Sequence, residues 1–267
     1  MFESSHYPPT NGIVTILSDY GLADHYVAEV KGAMLCASSS LRIVDVTHGL
    51  SPRNIDGAAY VLGHSAFAFP PGSVHLALVD PGVGTERALL VCLCGDHYFF
   101  APDNGILSWA LRANPFECRR MEFQSHELPP CRTFHGRDLL APAAARLAAG
   151  DLQFDQCGPP WEPKLLESRL PVRTGDIIEG RVVRADRFGN LVVNVSRSDV
   201  ADARVLAVEI GGQSIGGLVR CFGEREHGDL VALWGSDGYL EVSVVLGSAG
   251  NTLEASPGMP VKLVLQT

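Results

Sequence analysis

The sequence predicts an α/β fold in two parts: an N-terminal layered domain with a largely parallel sheet, then a smaller all-β, barrel-like domain. Three observations predict it. From Ile13 to about Gly150, apolar strand-like runs alternate with longer helical patterns, the signature of strands joined by crossover helices. From about Gly175 onward only strand-like runs occur, punctuated by Gly, Asn and Asp, as in a small barrel or sandwich. Between them lies GPPWEPKLLESRLPVRTG, whose prolines and glycines break regular structure. The expected organisation is a disordered lead-in over 1–12, an α/β domain over 13–160, a linker over 161–174 and a barrel-like domain over 175–267.

The elements follow in order. Ile13–Leu17 is a short β-rich run. Residues 24–37 place Tyr26, Val27, Val30, Met34 and Leu35 at helical spacing. Arg42–Val46 is a second strand, and Asn54–Phe67 a helix with Ile55, Ala58, Ala59, Leu62 and Ala66 on one face. Val74–Val79, Leu89–Leu93 and Tyr98–Phe100 are further strands, and Ile106–Leu111 opens a helix. Asp138–Ala149 is an alanine-rich helix stopped by Gly150. Asp176–Ala185, Leu191–Val195, Val205–Ile210, Val231–Leu233, Leu240–Val245 and Val261–Leu265 are the strands of the second domain. The first half therefore reads as a Rossmann-like layer structure.

Composition narrows the function. The chain has 267 residues, ample for a core, and a formal net charge of -9, which argues against a nucleic-acid or anionic-membrane partner. No run reaches the roughly 20 apolar residues of a membrane span. The opening MFESSHYPPTNG has neither the basic region nor the apolar core of a secretory signal. Seven cysteines are scattered without a CxxC pair, so reduced thiols in a cytoplasmic protein are expected. Cys92 and Cys94, two apart on a strand, point to one face. The nine histidines show no H-E-x-x-H or H-x-H spacing, so no catalytic metal is expected.

In a doubly wound sheet, ligands collect beyond the carboxyl ends of the strands. Three places there are polar. Ser18-Asp19-Tyr20-Gly21 follows the first strand; Asp19 can accept hydrogen bonds from a ribose diol, or Asp19 and Asp24 can cap turns and the next helix. The loop lacks GxGxxG, so it is no standard pyrophosphate cradle. Asp80 ends the third strand, and Pro81-Gly82-Val83-Gly84 turns the chain so that Arg87 can fold back beside it. That pair is either a structural ion pair or part of a reactive site. Thr133-Phe134-His135-Gly136-Arg137-Asp138 leads into the alanine-rich helix. His135 there is a packing residue or a catalyst, and Asp138 a candidate N-cap. Asp103-Asn104-Gly105 reads as a tight turn. Asp186-Arg187-Phe188-Gly189-Asn190 is a turn between strands from which Phe188 and Asn190 can face a ligand.

Together, in this order, and with Lys31-Gly32, Ile43-Val44-Asp45-Val46-Thr47-His48 and Ser236-Asp237-Gly238-Tyr239-Leu240-Glu241, these stretches resemble the S-adenosylmethionine (SAM) hydroxide adenosyltransferases, or SAM hydrolases, relatives of the SAM-dependent fluorinase and chlorinase. The resemblance runs from about Ile13 to Leu265. It implies homotrimers with SAM, as substrate and with no further cofactor, held at subunit interfaces and cleaved by water to adenosine and L-methionine. It places the catalytic set on Asp80, Arg87 and His135. The halogenases carry tyrosine where this chain has Asp80, which favours water over halide. Asp19 matches the acid on the ribose hydroxyls. Asp186 and Asn190 match residues at the methionine end, reaching from a neighbour's C-terminal domain. Ser236 matches a residue near the methionine carboxylate or amine, and Phe222 an adenine-side aromatic. Asp24, Asp103, Asn104 and Phe188 join the substrate-binding candidates through their motifs. Arg53 stands where the halogenases have tryptophan, and Asp237 where they have arginine. The rival readings are a non-catalytic SAM or adenosine sensor and a halide-dependent adenosyltransferase.

Overall fold

The computed structural model describes residues 7–122, 133–166 and 170–266; residues 1–6 of the expected lead-in, 167–169 of the expected linker, and Cys131 lie outside them. The chain divides into two compact units, Met1–Leu165 and Leu166–Thr267.

The first unit is a six-stranded sheet with helices on both faces. Its strands are β1 (Ile13–Ser18), β2 (Arg42–Thr47), β3 (Val74–Leu78), β4 (Leu89–Cys94), β5 (His97–Pro102) and β6 (Phe116–Arg120), in the order β2-β1-β3-β5-β4-β6. The first four in that order run parallel; β4 is antiparallel to both β5 and β6. Every residue of β3, β4 and β5 is buried, as continuous apolar runs covered on both faces require. Alternate residues serve opposite layers. Ile16, Leu76 and Leu78 pack in one cluster with residues of α1 (Tyr26–Ala37) and α4 (Ala141–Ala149). Leu17, Ala77 and Val79 pack in the other with residues of α2 (Ile55–Ser65) and α3 (Ser108–Ala113). Asn54 caps α2 through its Oδ1, which accepts from Gly57 N at 2.9 Å. In α1 only the Val27, Val30 and Met34 stripe is buried. Tyr26 and Leu35, expected on the same face, are exposed.

The chain enters α4 through a π-helical turn over Gly136–Leu140. Asp138 lies inside that turn and is not the N-cap: its carboxylate accepts from Arg137 Nε at 2.6 Å and Nη2 at 3.0 Å. Arg137 Nη1 also donates to Glu29 Oε2 at 2.9 Å, tying the turn to α1. Gly150 ends α4 with φ of 85°, a conformation glycine adopts without strain.

Strand β6 is absent from the sequence reading, and with it goes a correction to the thiol expectation. Cys92 and Cys118 stand directly opposite on β4 and β6, with Cα atoms 4.0 Å apart, and are disulfide-bonded. Cys36, Cys94, Cys157 and Cys221 are free. Cys94 Sγ donates to Ala110 O at 3.3 Å, and burial pushes its thiol up to about 11.

In the middle of the sheet a buried polar chain crosses the three neighbouring strands β1, β3 and β5. Thr15 Oγ1 meets His75 Nδ1 at 2.8 Å, and His75 Nε2 meets His97 Nδ1 at 3.1 Å. Burial, then the neighbouring His97, lowers His75 to about 3. A histidine depressed in the fold binds fewer protons folded than unfolded, so its contribution to stability is present above the unfolded value near 6.5 and is lost as pH falls below it. Urea unfolding should therefore show a loss of about 2 kcal/mol from His75 between pH 7 and pH 5. His75→Gln should remove most of that slope; an unchanged slope would place its origin elsewhere.

The second unit is antiparallel. Strands β8 (Ile177–Ala185), β9 (Leu191–Ser196), β10 (Arg204–Ile210), β11 (Gln213–Gly216), β12 (Leu230–Trp234), β13 (Tyr239–Val244) and β14 (Pro260–Gln266) follow the order β11-β10-β14-β8-β9-β13-β12, and β7 (Val172–Thr174) pairs with β8. Its core is an inward cluster that includes Ile178, Val182, Val193, Val208, Val242 and Leu263. The end strands β11 and β12 approach each other, giving a nearly closed, barrel-like wall. The expected linker is ordered at both ends. Trp161 N donates to Cys118 O and Lys164 N to Asp103 Oδ1, each at 2.8 Å, while residues 172–174 form β7. Among the described residues, no helix is long and apolar enough to cross a membrane.

Candidate active site

The order of the parallel strands reverses between β1, which leads out to β2, and β3, which lies on its other side. The carboxyl ends of β1 and β3 thus bound the crevice where doubly wound sheets bind ligands. A cavity of about 350 Å³ opens there, lined by Asp19, Tyr20, Arg53, Leu78, Asp80 and His135 among others.

The loop after β3 builds its own ion pair. Asp80 Oδ1 accepts from Gly82 N at 3.2 Å and Arg87 Nε at 2.7 Å; Oδ2 accepts from Arg87 Nε at 2.9 Å and from Arg87 Nη2. Thr85 Oγ1 donates to Gly82 O at 2.7 Å and closes the turn. A β-carbon on Gly82 would stand 3.1 Å from Arg87 Cδ, so glycine gives the arginine room to fold back. Both side chains are nearly buried, Arg87 at 7% and Asp80 at 13% exposure. Fork-to-carboxylate pairing of this kind is strong and directional.

The third group comes from the turn before α4. Arg87 Nη1 and Nη2 both lie 3.2 Å from His135 Nδ1. A guanidinium can only donate, so Nδ1 accepts and the imidazole proton sits on Nε2. Arg87 thus bridges Asp80 and His135, the set that the resemblance implies. The structure also places Asp19 at this cavity, its Oδ2 accepting from Arg53 N at 2.8 Å. Arg53 holds a φ of 64°, unusual for a non-glycine residue, at the point where its loop meets Asp19.

The other candidates divide. Asp24 is exposed and outside the cavity lining. Asp103 is buried and accepts from Trp161 Nε1 at 3.0 Å as well as from Lys164 N. Asn104 Nδ2 donates to Val79 O at 2.9 Å, bracing the backbone just before Asp80. Asp103 and Asn104 thus support the loop, and neither lines the cavity. In the second unit, Asp186 Oδ1 accepts from Phe188 N and Asn190 N, each at 2.8 Å, and Oδ2 from Asn190 Nδ2 at 2.9 Å. Phe188 is 77% and Phe222 41% exposed. Ser236 Oγ donates to Asp237 Oδ1 at 3.1 Å. Glu241, missed by the sequence reading, lies within electrostatic reach of both turns: burial, then Asp186 and Asp237, hold its carboxyl above the usual range.

The sequence reading also missed the aromatic wall. Tyr20, Tyr26 and Phe134 pack ring to ring, with centroids 5.6 to 6.0 Å apart, and all line the cavity. The one available signal was the position of Tyr20 beside Asp19. Among the described residues, no group of three or more His, Cys, Asp and Glu could hold a metal ion.

A parallel sheet with a polar crevice at its switch point, followed by a barrel-like unit, defines a two-domain α/β protein with a small-molecule site. The chain belongs to the SAM hydroxide adenosyltransferase family: the model of that family's N-terminal domain matches residues 14–158, and that of its C-terminal domain residues 180–262. It is similar to the (R)-S-adenosyl-L-methionine hydrolase of Thermus thermophilus, 41% identical over 94% of this chain and 99% of the relative. It is also similar to the protein of the same name from Salinispora tropica, 36% identical over 92% of this chain and 95% of that one. Among solved structures, an uncharacterized conserved protein from Thermotoga maritima superposes with a TM-score of 0.83 at 34% identity, covering 94% of this chain and 99% of the other.

Proposed function

We propose that this chain hydrolyses SAM to adenosine and L-methionine by attack of water at the ribose 5′ carbon, with Asp80, Arg87 and His135 as the catalytic set. The observation that carries the assignment is the bridge that Arg87 makes between Asp80 and His135, both of which line the switch-point cavity. The leaving group is a neutral thioether and needs no acid. The demand falls on the nucleophile, since bulk water has a pKa near 15.7. Arg87 supplies a fixed cation where hydroxide character develops, in a site that is nearly buried and so low in dielectric. His135, protonated on Nε2, is a neutral donor. Asp80 fixes the guanidinium fork and offers a carboxylate edge to the water. Attraction between a carboxylate and the sulfonium aids binding but not the chemical step, because attack destroys that charge.

Asp19 holds the ribose hydroxyls, and Asp186, Asn190 and Ser236 serve the methionine end. The active form is a cytoplasmic homotrimer with sites at subunit interfaces; the exposed rings of Phe188 and Phe222 are apolar surface that such an interface would cover. Purified protein given SAM in oxygen-18 water should release adenosine labelled at the 5′ oxygen and unlabelled methionine. Binding of SAM without turnover would establish the sensor reading instead.

A further inference from the structure

Tyr20 carries a hydroxyl that the catalytic set leaves unused. Its ring is fixed edge-on to Phe134 at 5.7 Å and tilted to Tyr26 at 6.0 Å. A β-carbon on Gly136 would stand 2.9 Å from Tyr20 Oη and 3.2 Å from Leu78 Cδ2. The phenol oxygen therefore rests against the backbone one residue beyond His135, on the cavity floor that Leu78 and Gly136 share. The backbone N–H of Tyr20 donates to Ser18 Oγ at 3.4 Å, but among the described residues the hydroxyl has no hydrogen-bond partner. The oxygen opens onto the cavity, where a ligand or a water can partner it. Burial, then the charges of Asp19 and Asp80, raise the phenol's pKa, so it stays protonated and neutral through any working pH.

The hydrogen-bond inventory says which atom it serves. A water that attacks carbon directs one lone pair forward and must give its two hydrogens to acceptors. Arg87 has only donors, and His135 with Nδ1 turned to Arg87 presents a donor as well. Asp19 is committed to the ribose in the hydrolytic reading. Asp80 is then the one acceptor in the trio for two hydrogens, and the Tyr20 oxygen supplies the second. We propose that Tyr20 is a further catalytic residue whose hydroxyl contacts and orients the attacking water. The role rests on the hydrolytic reading and adds no covalent step: the water oxygen bonds to the 5′ carbon, the carbon–sulfur pair leaves with sulfur, and one water proton passes to solvent.

The test is steady-state turnover of SAM by wild type, Tyr20→Phe, Gly136→Ala and the double variant, with adenosine affinity measured by calorimetry. Tyr20→Phe keeps the ring and deletes one oxygen. It should lower kcat about tenfold or more, while KM and adenosine affinity stay within about twofold. Gly136→Ala displaces the hydroxyl, so it should slow the wild type and cost little further in the Tyr20→Phe background. An active wild type with an unchanged Tyr20→Phe overturns the proposal alone. So does a loss of adenosine affinity that matches the loss of rate, which would make Tyr20 a binding residue. Full additivity of the two substitutions also counts against it. A wild type that releases no adenosine from SAM overturns the hydrolytic reading, and this role with it.

Discussion

Arg87→Ala should turn SAM over roughly 10²–10³-fold more slowly than wild type, the usual cost of deleting one preorganised donor at developing negative charge. The reason is its double attachment. One side chain clamps the Asp80 carboxylate and also sets the tautomer of His135. Removing it deletes the cation, frees the Asp80 carboxylate in a nearly buried place, and releases His135 Nδ1 at once. Arg87→Lys should recover little, because an ammonium cannot span carboxylate and imidazole with a planar fork. Adenosine affinity, measured by calorimetry, should change much less than kcat. An Arg87→Ala, His135→Ala double variant should be scarcely slower than Arg87→Ala, since groups that act as a unit do not lose rate additively. Near-wild-type turnover of Arg87→Ala would reduce the pair to a loop brace.

The second large effect belongs to the barrel-like unit. Gly189 holds a φ of 86°, and a β-carbon there would stand 2.1 Å from Ser248 Oγ, 2.6 Å from Ser248 Cβ and 2.9 Å from Ser248 Cα. Part of that obstacle is backbone, tied in turn by the bond from Gly250 N to Gly189 O at 2.9 Å. Gly189→Ala therefore meets both left-handed strain and a contact that no rotamer relieves. The expected loss is about 2–4 kcal/mol. For a unit of this size, that lowers the melting temperature by more than about 10 °C. Calorimetric melting reads it directly, and a shift of only a degree or two would mean that the Asp186–Asn190 turn relaxes freely. With Asp186 and Asn190 at the methionine end as proposed, SAM affinity should fall with it, unlike in Gly212→Ala, where left-handed strain at φ 75° acts with no neighbour within 4 Å.

What the sequence disclosed depended on the range of the interaction. The β3 run is buried on both faces and could only be a central strand. The acid ending it sits at the switch point because β2 and β3 pair with opposite sides of β1, an order that no local pattern discloses. Asp80 and Arg87 meet through one short loop, so their pairing was open to inspection. His135 joined them only by resemblance, since nothing local shows which loop faces which. Strand β6 was hidden because Phe116–Arg120 is a polar strand with one buried residue. Without that strand, Cys118 had no visible neighbour. Within Ser18-Asp19-Tyr20-Gly21 nothing local but its place beside Asp19 marks Tyr20. Its environment is made by Gly136 and Leu78, and a tyrosine after a strand more often packs than reacts. Asp103 entered the substrate-binding candidates through its motif; its hydrogen-bond partners, Trp161 and Lys164, come from the segment expected as linker, which a local reading of the turn does not show.

The π-turn over Gly136–Leu140 sets an angular phase. An α-helix advances about 100° per residue, so one extra residue in a turn rotates everything before it relative to everything after. Downstream, the alanine face of α4 must lie flat on the sheet, and small side chains let it do so. Upstream, His135 must aim at Arg87. A uniform helix would lock these two directions together, and satisfying the packing face would dictate where the imidazole points. The widened turn uncouples them. The alanine face can then be tuned for packing without swinging His135, and the imidazole re-aimed without lifting the helix from the sheet.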